Sequence, residues 1–234
     1  MTRRAPSISS AVLAASALVV AALLAAFLLL APTLAKPGES STETRFVREM
    51  IQHHTQAVDM ATRIRDRSTD RTLRSLALDI QLSQQEQIGQ MRGWLTLWGL
   101  PWGGAGMSAE HAAMMGMATP AEVNSLDTGT PAQAEQEFLR LMIRHHQGAV
   151  AMVKPVLTER VRPEVLALAR QINATQAAEI RLMTTLLNSR GAQPLPAPSD
   201  TMDGMDMGGT APSVSPASVA SESVPAGTDG HSHP

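Results

Sequence analysis

Cysteine and tyrosine are both missing from this 234-residue chain, and phenylalanine and tryptophan occur only three times each. Without cysteine there are no disulfides to staple the fold and no thiolates to hold a metal. The formal charge of −2 is close to balanced, and no basic stripe is interleaved with aromatic residues. A nucleic-acid footprint is thereby excluded. No general acid, nucleophile or cofactor-binding loop stands out in the sequence, so no catalysis is expected.

Methionine, by contrast, occurs 14 times. A thioether binds soft metals and, outside the cytoplasm, is not consumed by disulfide formation. The competing explanation is that methionine fills irregular helical cores. The ends of the chain bear on the compartment. Arg3 and Arg4 precede a nearly unbroken apolar run from Ala11 to Leu30, then small residues and a polar stretch from Lys36. This reads as an export signal, and the run also matches the roughly 20 residues that span a bilayer. Residues 1–36 are therefore expected to be a signal peptide or a membrane anchor. Either one places the rest of the chain in the periplasm or on the extracytoplasmic face of the membrane. From residue 192 onward Pro, Ser, Gly and Asp dominate, a composition too polar to bury a core, so a disordered tail is expected.

Between these ends one motif is written twice. Phe46, Met50, His53, His54 and Met60 return as Phe138, Met142, His145, His146 and Met152 at a constant offset of 92 positions. Ile80, Gln84, Ile88 and Met91 return in the same register as Ile172, Gln176, Ile180 and Met183. A duplicated helical hairpin is the unit. Apolar spacing and cap signals place the hairpins at 43–99 and 131–191, in one domain over 43–191 with a long crossover at 100–130. Such a crossover is common in four-helix bundles, so the fold is expected to be all-α. Thr130, Pro131 and Gln133 form a capping-box start for the third helix. Pro155 should end or kink that helix near Lys154.

At about 100° per residue, His53, His54, Met50 and Met60 fall within an arc of about 120° on the inward face of the first helix. The second copy does the same. Gln84, Gln87 and Met91 share a face of the second helix, as do Gln176, Glu179 and Met183 of the fourth. Buried imidazoles need hydrogen-bond partners or a metal. The plain alternative is that Gln84, Gln176 and Glu179 satisfy them across the bundle. Thioether and imidazole together suit Cu(I), and by the same softness Ag(I). Di-iron chemistry would want repeated carboxylates. Glu49 instead aligns with Leu141, Asp59 with Ala151, and Glu179 with Gln87. Further soft ligands lie off the bundle, at Met107, His111, Met114, Met115 and Met117 in the crossover and Met202, Met205 and Met207 in the tail. His231 and His233 end the chain.

The string Met-Ile-x-His-His-x-x-Ala-Val-x-Met in two copies, each followed by Gln-x-x-(Glu/Gln)-Ile-x-x-Met, resembles the exported bacterial family called domain of unknown function 305. The resemblance spans about 45–190 and implies a ferritin-like four-helix bundle that binds copper or silver in copper tolerance. By position it implies Met50, His53, His54, Met60, Met142, His145, His146 and Met152 as ligands, with Met91 and Met183 close by. Gln87 departs from the pattern, since the second copy has Glu179. The expected function is sequestration, tolerance or transfer of Cu(I), with copper-efflux or copper-delivery proteins as candidate partners. A ferritin-like redox enzyme and a structural or partner-binding bundle are the alternatives.

Overall fold

A computed structural model describes residues 10–34, 36–104 and 106–198. The tail methionines Met202, Met205 and Met207, with His231 and His233, lie outside these. Seven helices follow in order among the described residues: α1 (Ser10–Leu34), α2 (Thr42–Arg67), α3 (Arg71–Trp98), α4 (Ala109–Met114), α5 (Pro120–Ser125), α6 (Pro131–Thr158) and α7 (Pro163–Ser189). The chain folds as an all-α, ferritin-like bundle of two hairpins, α2–α3 and α6–α7, joined face to face through α2 and α6. In α1, the side chains of Val12, Leu18, Val19, Val20, Leu23 and Leu24 are all exposed. They contribute nothing to the core.

Local chemistry sets the helix ends. The Ser41 hydroxyl caps α2 by accepting from the Thr44 N–H, and Asp70 caps α3 by accepting from Leu73. Thr130 and Gln133 form the reciprocal capping box of α6 with Pro131 in its first turn. Gly99 closes α3 at φ 76°, the left-handed conformation that glycine adopts without a side-chain clash. The crossover is less irregular than expected, because Ser108 and Thr119 cap the short helices α4 and α5.

Pro155 does not stop α6, which runs on to Thr158. The proline removes one hydrogen bond, but it sits in the last turn, and Val156 just beyond it is fully buried in the core. Packing outweighs the single lost bond there.

α2 and α6 run antiparallel. Thr42, at the start of α2, donates to Glu159 at the end of α6 (2.6 Å), while Ser68, at the end of α2, donates to Glu135 near the start of α6 (2.6 Å). An approximate two-fold axis therefore crosses the bundle between them. One carboxylate does repeat: Glu43 and Glu135 stand 92 positions apart. Each is held at a helix end, Glu43 by Arg162 at 3.8 Å and Glu135 by Arg190 at 3.4 Å. Neither contributes to the centre of the bundle.

The interior is two apolar clusters with a polar layer between them. One holds Met50, Met91 and Met152; the other holds their repeat mates Met142, Met183 and Met60. The layer contains His53, His54, His145, His146, Gln84, Gln87 and Gln176, all buried, with Glu179 at its edge.

Candidate metal centre

The two copies meet at the axis. His53 and His145 stack ring on ring, with centroids 3.6 Å apart and planes at 30°. Their neighbours repeat the same geometry: His53 to His54 and His145 to His146 are each 6.3 Å between centroids at 50°. All four imidazoles are fully buried. The duplicated motif thus builds one four-histidine centre from two helices.

The hydrogen bonds around it also repeat. The His54 Nε2 lies 2.8 Å from Gln87 Oε1, and the His146 Nε2 lies 2.7 Å from Glu179 Oε2. The His53 Nε2 lies 3.0 Å from the backbone oxygen of Met115 in the crossover. A carbonyl or carboxylate oxygen can only accept, so Nε2 carries the proton in each ring. The Nδ1 atoms of His53, His54 and His146 are left without a partner. Neither ring nitrogen of His145 meets hydrogen-bond geometry at all. Of the three partners that the plain alternative offered, Glu179 does meet His146, whereas Gln84 leaves both its amide atoms unpartnered and Gln176 its side-chain oxygen. For His54 the partner is Gln87, a residue the sequence placed on the right face but not in that role.

Unpartnered buried polar atoms cost about 1–3 kcal/mol each, so a layer holding several is kept at the expense of stability. Tying one imidazole nitrogen to an oxygen fixes the tautomer and aims the other lone pair, which is how metal-binding histidines are oriented. The donor set therefore fits a soft cation: uncommitted Nδ1 atoms flanked on both sides by buried thioethers. Among the described residues no three His, Asp or Glu side chains are placed to close on one ion as they stand. The buried thioethers on either side are the further donors that a soft cation could draw on.

Burial sets the protonation of His53, His54 and His145. It lowers His53 to about 4, with the Met115 oxygen opposing and His146 adding to the shift. His54 falls to about 3, through burial and then the neighbouring His53. His145 is held well below the ordinary 6.5 by burial and by His53, His146 and His54, against a weak opposing influence of the His53 backbone. The unfolded chain binds protons near 6.5 while the folded chain does not. Stability is therefore full above about pH 6.5 and lost as pH falls toward 4, by roughly 1.4 kcal/mol per pH unit for each such histidine. Urea unfolding of the metal-free protein should show a midpoint that drops steadily from pH 7 to pH 5. A flat profile would contradict neutral buried imidazoles.

The remaining candidates divide. Met115 is fully buried, Met107, Met114 and Met117 are partly buried, and the His111 Nε2 lies 3.3 Å from Glu49. The structure brings Met115 to the centre and leaves His111 on a carboxylate outside it. Gly148 was not singled out by the sequence, yet a Cβ there would lie 1.8 Å from the Met115 oxygen. Its repeat mate Gln56 is the one available signal, since a glycine stands where the other copy has a long side chain.

The domain of unknown function DUF305 matches residues 43–187. The chain belongs to the DUF305 family. A DUF305 fragment from Deinococcus radiodurans is 57% identical over 63% of this chain and 96% of its own, with a TM-score of 0.60. A DUF305 protein from Streptomyces coelicolor, considered secreted, is 40% identical over 68% of this chain and 99% of its own, at a TM-score of 0.63. CopM in its Cu(I)-bound form is 28% identical over 64% of this DUF305 chain and 96% of its own, at 0.53. CopM has also been solved in Cu(II)- and Ag-bound forms. No curated protein matches the chain.

Proposed function

We propose that this protein is an exported soft-metal-binding protein that takes up Cu(I), and Ag(I) by the same chemistry, for sequestration, tolerance or transfer without catalysis. The observation that carries the reading is the polar layer, where three imidazoles have Nε2 committed and Nδ1 free, between two clusters of buried methionines. His53, His54, His145 and His146 would supply nitrogen, and Met50, Met60, Met91, Met142, Met152 and Met183 sulfur. Met115 extends the set from the crossover. Met107, Met114 and Met117, with Met202, Met205 and Met207 of the tail, would serve as auxiliary soft ligands. CopM, a 28–31% identical relative with bound copper or silver, supports the metal class. The apolar N-terminal run and the Streptomyces relative considered secreted support export.

Anaerobic titration with Cu(I) against a competing chelator tests the reading. Tight binding is expected, and replacement of His53, His54, His145 and His146 together should weaken it by a hundredfold or more, on the order of several lost metal–ligand bonds. Binding unchanged in that variant would overturn the assignment. The redox alternative draws on CopM's Cu(II) form. It predicts that bound Cu(I) oxidises under air faster than the free ion, whereas the binding role predicts that it stays reduced.

A further inference from the structure

The crossover does more than connect the hairpins. The Met115 carbonyl takes the His53 Nε2–H at 3.0 Å and fits only because residue 148 has no side chain. Next to it, Gly116 adopts φ +68°, and a Cβ there would lie 2.3 Å from the Arg144 carbonyl. Two glycines thus let one backbone rest directly on another above the histidine stack. At repeat position 56/148 the two copies do opposite jobs. Gly148 clears a seat, while the Gln56 amide grips the crossover by donating to the Ala118 oxygen (2.8 Å) and accepting from the Ala118 N–H (2.7 Å). Arg144 adds a fork to Glu122 at 3.0 and 2.9 Å.

All four imidazoles are fully buried, so some element must move before an ion reaches them. The bundle helices are locked by both apolar clusters. Among its described residues the crossover buries Met115, Ala118, Val123 and Leu126, with Leu100, Met107 and Met117 partly buried against the core, and polar bonds from Gln56, Arg144 and Arg67 hold its backbone. Segments with few buried apolar contacts open at lower free energy than core helices.

We propose that the crossover is the closing and positioning element of the centre: seated on Gly148, it holds His53 through the Met115 carbonyl and must lift before a soft cation reaches His53 or His145. Met115 and Gly148 are then positioning residues of the metal site, and Gln56, Arg144 and Glu122 set how often the site opens. The cation part rests on the function proposed above. The opening itself does not, and it can be read without metal.

Two readouts on the full chain separate them. Diethyl pyrocarbonate modifies accessible neutral imidazoles, and peptide mass mapping gives the rate at each histidine. Gln56→Ala with Arg144→Ala should raise the rates at His53 and His145 about tenfold or more, the effect of losing several ordinary hydrogen bonds. His54 and His146, which face Gln87 and Glu179 on the far side, should lag. Glu122→Gln, which keeps the shape and drops the ion pair, should give an intermediate rise at unchanged helical content. Rates that do not rise, that rise equally at all four histidines, or that rise first at His54 and His146 would overturn the proposal. Stopped-flow Ag(I) uptake should accelerate in the same order. If the unaltered protein takes up no Ag(I), the metal reading fails while the modification pattern still decides the opening.

Discussion

Replacing His145 by leucine is expected to leave the metal-free bundle at least as stable as before and to remove the stabilisation that Ag(I) gives the unaltered protein. Both ring nitrogens of His145 are buried without a partner. Removing them relieves about 1–3 kcal/mol for each atom left unsatisfied. Against this stands the lost stack on His53, worth roughly 0.5–1.5 kcal/mol. The balance is neutral to favourable. His54→Leu should gain less, because the relief of its own unpartnered Nδ1 is offset by the Gln87 side-chain oxygen that it orphans, each at about 1–3 kcal/mol. With free Ag(I) at a hundred times its dissociation constant, the unaltered protein gains about 2.7 kcal/mol. For a bundle of this size that is roughly 5–10 °C in Tm. Thermal melts of the three proteins with and without Ag(I) decide the matter. A His145→Leu protein that is clearly less stable without metal would show that the ring serves packing rather than binding.

The second large effect is expected at Glu179. Its carboxylate accepts the His146 Nε2–H at 2.7 Å, and Gln87 holds the equivalent place for His54 at 2.8 Å. A carboxylate behind an imidazole makes the opposite nitrogen a stronger donor than an amide does, and loss of such a partner typically lowers metal affinity 10–100-fold. Glu179→Gln should therefore weaken competitive Cu(I) binding by about 10–100-fold with little change in the fold, since the amide oxygen still accepts. Gln87→Glu should shift affinity the other way. If both exchanges leave affinity unchanged, His54 and His146 are structural residues and not ligands.

What the sequence disclosed followed from periodicity and short-range chemistry. The 92-residue offset and the 3.6-residue apolar spacing were enough for two hairpins, and Thr130, Pro131 and Gln133 marked the start of α6. The inward face of His53, His54 and the flanking methionines was legible because a helix turns by a fixed angle. Contacts that depend on how two helices meet were not. The His53–His145 stack needs the antiparallel register of α2 and α6, and the choice of Gln87 over Gln84 depends on side-chain reach across a hairpin. α6 continues past Pro155 to Thr158 because burial of Val156 outweighs the bond that the proline removes. The repeated Glu43 and Glu135 were visible at the same offset but lie at helix ends, away from the chemistry. The docking of Met115 was hidden altogether, because its only trace is a missing side chain at Gly148.

In the language of assembly, the stacked pair His53 and His145 is an isologous contact: each hairpin offers the same residue to the same residue of the other. Symmetric homodimers are built in this way. A single chain can make the contact only by joining its two halves, and the joining segment occurs once, so it cannot obey the symmetry it spans. Where that segment settles on the axis, it gives His53 a backbone partner that His145 lacks. Two residues of identical chemistry thereby become inequivalent, and a fold assembled from equal halves acquires a difference at its very centre.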